Sequence, residues 1–380
     1  GPHAIANWVI SNFDVLHYHA TPIMRNISND HFLVPHLFDL IAARAAGRRV
    51  VFSFRGGEAR QHDVFMQKCP FAWSREEDYA SFLTDEQKRF FIEIVTELAD
   101  VITVPDPELQ TYVQHARILP RAVDCGALRY VGAVRDERPL VVHAPSRRNV
   151  KGTDYLLAAV EALRTEGVEF DFRLIENLPN AEARQVYAAA DVIVDQLRIG
   201  WYGVLAVEGF ALGKAVLAYV REDLCDFFDG PPPLRMTSPL SIKDDLREVV
   251  SSTTLRRELG QRARRFCESY HDHLKVAEQL QELYTETRAT SPRSGTALLR
   301  YGVQEQRMLH RNLSGKTARA KARKGPAPAP PLAKLVERLG NFYRPRGGAK
   351  GLFDPPHVKV IPRIYRRLSQ VLRGEELRTY

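Results

Sequence analysis

Short apolar runs alternate along this chain with longer stretches in which apolar residues recur every three or four positions. The runs at 14–18, 49–54, 100–104, 140–143, 170–175, 191–195 and 215–219 read as buried strands, and 36–46, 85–98, 180–190 and 203–212 have helical spacing. Gly47 ends the first helix, an asparagine cap is expected to start the one at 180, and Pro105-Asp106-Pro107 opens another after the strand at 100–104. Strands alternating with helices predict an α/β fold with parallel sheets, whose ligands sit at the carboxyl ends of the strands. On that rule His17, His19, Arg55, Gly56, Gly57 and Arg60 are expected to face a cleft. The plainer alternatives are histidines satisfied structurally and a simple turn at Gly56-Gly57.

The densest local signal runs from 200 to 219. Gly200-Trp201-Tyr202-Gly203 leads into a helix whose only charge is Glu208, then come a turn at Gly213-Lys214 and a buried strand. A helix that starts in glycines beyond a parallel strand offers unpaired N–H groups and a positive dipole end, with no side chain in the way of an anion. Glu208, more than one turn further on, is placed to accept hydrogen bonds from hydroxyls of a group attached to that phosphate. A plain βαβ crossover, with Glu208 capping a neighbouring loop, fits the same letters. A second junction of this kind follows the strand at 140–143: Ser146-Arg147-Arg148-Asn149-Val150-Lys151-Gly152 places three cations and a glycine before a helix that runs to about 163. Two phosphate-competent junctions in one sheet favour anion binding over the crossover.

Charge changes the picture only once it is divided. Residues 291–380 carry 20 Lys and Arg against 5 Asp and Glu, a balance of +15, which leaves −7 for 1–290 in a chain of net charge +8. The basicity therefore belongs to the tail, and no nucleic-acid partner is expected for the folded part. The four cysteines are dispersed without metal or redox spacing, which fits a reducing compartment. No apolar run approaches the roughly 20 residues that span a bilayer, so a cytoplasmic protein is expected. Residues 286–331 read as a flexible basic Pro/Ala-rich linker, and 332–380 as a basic amphipathic segment that docks on an anionic membrane surface, on a protein partner or on the fold itself.

Taken together, Ile118-Leu-Pro-Arg-Ala-Val-Asp124, His143-Ala-Pro-Ser146, Val150-Lys-Gly-Thr153, Tyr187-Ala-Ala-Ala-Asp191, Gly200-Trp-Tyr-Gly-Val-Leu-Ala-Val-Glu208 and Leu212-Gly-Lys-Ala-Val216 resemble the retaining glycosyltransferases of family 4, which have the GT-B fold. Phe54-Arg-Gly-Gly-Glu-Ala-Arg60 is similar to that family's acceptor-side loop. The resemblance implies two Rossmann-like domains facing a cleft, an acceptor-side domain at 1–122 and a donor-binding domain at 123–285. It implies transfer of a sugar from a nucleotide-diphosphate sugar to a glycan, a lipid-linked acceptor or a small molecule, with retention and with no metal or other cofactor. In that frame Lys151, Arg147, Glu208 and Asp195 are assigned to catalysis. Ser146, Arg148, Gly152, Glu176, Gly200, Trp201, Tyr202, Gly203 and Val204 are assigned to the donor, and His19, Arg55, Gly56, Gly57 and Arg60 to the acceptor side.

Two departures from the family pattern bear on activity. Eight positions before Glu208, where the family has a glutamate that contacts the donor sugar, this chain has Gly200; Asp195 or backbone around Trp201 would have to substitute. The chain is also expected to open after the strand, glycine-rich loop and helix with which the family's first domain begins. A catalytically idle relative that binds a sugar nucleotide or serves as a scaffold is the competing expectation. Lys151→Ala is expected to abolish turnover and leave the fold intact, and His271-Asp-His273 is read as a solvated turn, not a metal site.

Overall fold

The computed structural model describes residues 2–20, 37–73, 84–228 and 230–286. The linker and the basic C-terminal segment lie outside these residues. Packing divides the described chain into two compact units, Gly1–Ser53 with Glu86–Ile102, and Phe54–Asp85 with Thr103–Glu286. Residues 54–85 and 103–122 thus pack with 123–286.

Two sheets carry the strands. The first has the order β1 (Val15–His19), β2 (Arg49–Ser53), β3 (Val101–Val104), β4 (Arg117–Ile118), with β1–β2 and β3–β4 parallel. In the second, β5 (Leu140–His143), β6 (Asp171–Leu174), β7 (Val192–Val194), β8 (Ala215–Ala218) and β9 (Arg235–Met236) pair in parallel in the order β6-β5-β7-β8-β9. β5, β7 and β8 are buried along their whole length, which is why they read as unbroken apolar runs. Alternate side chains serve the two faces: Val142, Ile193 and Val216 enter one core, while Val141, Val192, Val194 and Ala215 enter the other. β6, at the end of the order, carries Asp171 and Arg173 and is only partly buried.

The predicted elements recur with small shifts and three corrections. Asn180 does not cap its helix; the helix is Asn180–Ala189 with Pro179 at the N-cap. The cation-rich segment after β5 is no open loop, because Arg148–Lys151 forms one helical turn that Gly152 ends at φ +72°. His271 is no solvated residue either. It closes a π-helical turn, Cys267–His271, and is 2% exposed.

Helix Val204–Leu212 is buried on every side from Leu205 onward. Gly213 ends it at φ +71°, and Lys214, fully buried, donates from Nζ to the carbonyls of Gly132 and Ala188, each at 2.7 Å. Desolvation lowers the pKa of that ammonium to about 8. Helix Thr253–Phe266 lies directly on this turn: a Cβ on Gly260 would come within 2.0 Å of the Gly213 carbonyl oxygen. Gly260→Ala is therefore expected to destabilise by roughly 1–3 kcal/mol or more through overpacking, although helix propensity alone predicts a gain of about 1 kcal/mol. Urea unfolding of the variant decides by its sign.

Candidate phosphate and donor site

Two junctions of the second sheet meet at Lys151. Gly152 lets the chain turn there, and a Cβ at this position would lie 3.0 Å from Leu197 Cβ and 3.3 Å from Arg198 Cγ, so the left-handed backbone and the close approach both call for glycine. The Leu197 N–H donates to the Lys151 carbonyl at 3.0 Å, which holds the loop after β7 against the turn after β5. Lys151 Nζ then donates to Asp195 Oδ1 at 3.0 Å and to Gln196 Oε1 at 2.6 Å. The lysine side chain is 14% exposed and the Asp195 side chain 0%. Asp195 Oδ2 accepts the Gly203 N–H, and Gln196 Nε2 donates to the Trp201 carbonyl.

Gly203 precedes helix Val204–Leu212. A Cβ on it would lie 2.9 Å from Asp195 Oδ2, 3.1 Å from Lys151 Nζ and 3.2 Å from Gln196 Oε1, so any side chain would press on the ammonium and its two partners. Val204, the first helical residue, is 53% exposed, and the N–H groups of the first turn have no partner within the helix. One turn on, Glu208 is 5% exposed; its Oε1 accepts from Arg184 at 2.9 Å and its Oε2 makes no hydrogen bond within the described residues. At the end of β5, buried His143 is fixed as the neutral tautomer. The Val194 carbonyl at 2.7 Å can only accept, so Nδ1 carries the proton and Nε2 accepts from the Thr153 hydroxyl at 2.9 Å.

The other donor-side expectations fare unevenly. Ser146 is exposed and Arg147 half-buried. Arg148 forms a two-pronged pair with Glu176, and that hydrogen bond holds the Glu176 carboxyl below its usual range. Gly200 adopts φ +99°, and a Cβ there would sit 2.6 Å from Arg221 Cγ and 2.8 Å from its Cδ, so the chain leaves no room for the family's first glutamate. Asp195, expected to stand in for that glutamate, has both its oxygens engaged inside the protein. Trp201 and Tyr202, assigned to the donor, are 2% and 1% exposed; their rings stack at 4.9 Å within the core, and the Tyr202 hydroxyl donates to His271 Nε2 at 3.0 Å. The Gly203 N–H, assigned to phosphate, is held by Asp195. Sequence reasoning missed Gln196, Arg184 and Arg221; only the first had a signal, its place beside Asp195.

On the acceptor side, Arg55 and Gly56 offer their N–H groups to Glu58, and the Arg60 N–H closes the turn on the Gly56 carbonyl. Gly57 is exposed with open space around it. Arg60, expected to face a cleft, is instead locked in a bidentate pair with buried Glu108 at 2.8 and 2.6 Å; burial opposes its charge, but Glu108 outweighs burial and raises the guanidinium pKa. In the first unit His19 is exposed, its ring stacked at 4.2 Å on His17, which bonds the Ser53 hydroxyl at 2.6 Å. Among the described residues no three His, Cys, Asp or Glu converge as metal ligands, and no helix is long and apolar enough to cross a membrane.

Among solved structures, sucrose-phosphate synthase from Thermosynechococcus elongatus matches with a TM-score of 0.52, covering 75% of this chain and 76% of that one at 15% identity. The chain shares that synthase's fold. It is the α/β architecture with parallel sheets expected from the sequence, that of the GT-B glycosyltransferases. Anabaena HepE in complex with UDP-glucose is similar at 13% identity over 75% of this chain and 82% of its own, with a TM-score of 0.48. WaaG, a glycosyltransferase involved in lipopolysaccharide biosynthesis, covers 62% of this chain and 77% of its own at 16% identity and a TM-score of 0.41. No protein-family model and no curated sequence matches this chain.

Proposed function

We propose that this protein is a family 4-like glycosyltransferase that moves a sugar from a nucleotide-diphosphate donor to a glycan, glycolipid or small-molecule acceptor with retention, using protein cations to neutralise the leaving group. The observation that carries this reading is one set of groups: the Lys151 ammonium, the side-chain-free Gly203 beside it, the open first turn of Val204–Leu212 and the Glu208 Oε2 that makes no hydrogen bond among the described residues. The diphosphate lies on Lys151 and the Val204 N–H, with Arg147 flanking it, and Glu208 accepts from the ribose. Asp195 and Gln196 aim the ammonium. As the bond from the sugar to the diphosphate breaks towards an oxocarbenium-like state, negative charge grows on the departing phosphate, where a fixed cation and helix N–H groups lower the barrier most. Acceptor contacts are assigned to His19, Arg55, Gly56 and Gly57, and a membrane or protein contact to the basic tail. The fold shared with sucrose-phosphate synthase supports this reading.

The idle-relative reading is favoured by two observations, the closed space at Gly200 and the hold of Asp195 on the Gly203 N–H. Turnover separates them. Purified protein is incubated with the UDP, GDP and ADP conjugates of common sugars, and both binding and release of nucleoside diphosphate are measured. The transferase releases a diphosphate when given a matching donor and acceptor; a scaffold binds and releases none. Glu208→Ala is expected to weaken nucleoside diphosphate binding by about 10- to 100-fold, the worth of one or two hydrogen bonds to a charged acceptor. Calorimetric titration of that variant checks the ribose assignment.

A further inference from the structure

Glu208 is held asymmetrically. Arg184 Nε and Nη2 both approach Oε1, each at 2.9 Å, and Oε2 is left without a hydrogen bond among the described residues. The carboxylate side chain is 6% exposed and the guanidinium 46%, so an arginine from the solvent side reaches in to one edge of a buried acid. Oε2 is not among the sealed polar atoms that lack a partner, so water or a ligand hydroxyl can reach it and donate to it. Arg184 stands on helix Asn180–Ala189, which packs on the helix that carries Glu208. The two helices thus hold the guanidinium and the carboxylate against each other, and the charge-assisted bond from Nε to Oε1 ties one edge of the carboxylate to Arg184. Oε1 already accepts the Arg184 Nε–H and lies 2.9 Å from Nη2. The acceptor that remains for a hydroxyl is Oε2.

We propose that Arg184 is a positioning residue that orients Glu208 towards the donor's ribose and makes the site selective for ribonucleotide over deoxyribonucleotide donors; this rests on the nucleotide-sugar reading above. Nothing in the letters around 184 points to it. The role appears only when the two helices are packed together.

The test is calorimetric titration of wild type, Arg184→Ala, Arg184→Lys, Glu208→Ala and the Arg184→Ala/Glu208→Ala double variant. The probes are UDP, 2′,3′-dideoxy-UDP and pyrophosphate, with the guanosine or adenosine pair in place of the uridine pair if UDP is not bound. Wild type is expected to prefer the ribose form by about tenfold or more, the discrimination available from hydrogen bonds to a charged group. Arg184→Ala should reduce that preference to about threefold or less by weakening the ribose ligand alone. Dideoxy-UDP and pyrophosphate should bind as before, Arg184→Lys should recover part of the preference, and Arg184→Ala should add nothing once Glu208 is gone. Equal weakening of all three ligands, or an undiminished effect in the Glu208→Ala background, means that Arg184 acts as a general cation or a fold support and overturns the proposal. If folded wild type binds no nucleoside diphosphate at all, the nucleotide-sugar reading falls first and takes this inference with it. Binding with unchanged preference sinks this inference alone.

Discussion

Lys151→Ala is expected to reduce release of nucleoside diphosphate from the sugar donor by about a thousandfold, the upper end of what removing one preorganised charge-stabilising donor costs. It is also expected to destabilise the protein, contrary to the intact fold anticipated from sequence. Lys151 is the ion-pair partner of Asp195, whose side chain has no exposure. Deleting the ammonium leaves a buried carboxylate with the Gly203 N–H as its remaining partner, and breaking a buried pair from one side costs on the order of 3–5 kcal/mol. The two effects separate in Lys151→Ala/Asp195→Asn. That double variant removes the stranded charge, so its urea midpoint should return most of the way to wild type while turnover stays about a thousandfold down. Turnover that recovered with stability would mean that Lys151 acts only through the fold.

Acidification from pH 7 to 4.5 is expected to lower stability steeply before most carboxylates titrate. Burial pushes the pKa of His143 down to about 4, with the Lys151 charge adding to the effect, and burial with the Arg121 charge does the same to His271. The ordinary value is about 6.5. Because the folded pKa is depressed, the unfolded chain binds more protons between about 6.5 and 4, and stability falls as pH falls through that window. Above pH 6.5 the contribution is fully present. Each histidine removes on the order of 3 kcal/mol of stability by pH 4. Both are neutral in the fold for the same reason: Nδ1–H is spent on a carbonyl, of Val194 or of Arg121, and Nε2 on a hydroxyl, of Thr153 or of Tyr202. An added proton on Nε2 displaces a hydroxyl donor in a sealed site. Thermal unfolding at half-unit steps from pH 7.5 to 4.5 should show this slope, and His271→Gln should flatten it by about half. A stability curve that stays level down to pH 5 would contradict the buried neutral tautomers.

The strand and helix pattern was legible because it depends on near neighbours. Helix Asp85–Leu98 and strand Leu140–His143 fall where the periodicity put them, and the glycines at 152 and 213 end helical turns with positive φ. His271 was misread because a histidine between polar residues at a helix end resembles a solvated turn. Its burial comes from Tyr202, 69 positions away. Trp201 and Tyr202 were misread for the opposite reason, as large residues in a ligand loop that the aromatic core claimed.

By itself the sequence determined two things: parallel sheets buried on both faces, and a glycine-led helix beyond a buried strand. Both follow from periods of two and 3.6 residues and from the absence of side chains, which are local properties. Only the tertiary structure decided which charges meet. Lys151 finds Asp195 across 44 positions and Arg184 finds Glu208 across 24. A buried charge must have a partner, and the partner is whichever group the packing of sheets and helices brings within hydrogen-bond reach, a distance that no sequence spacing encodes.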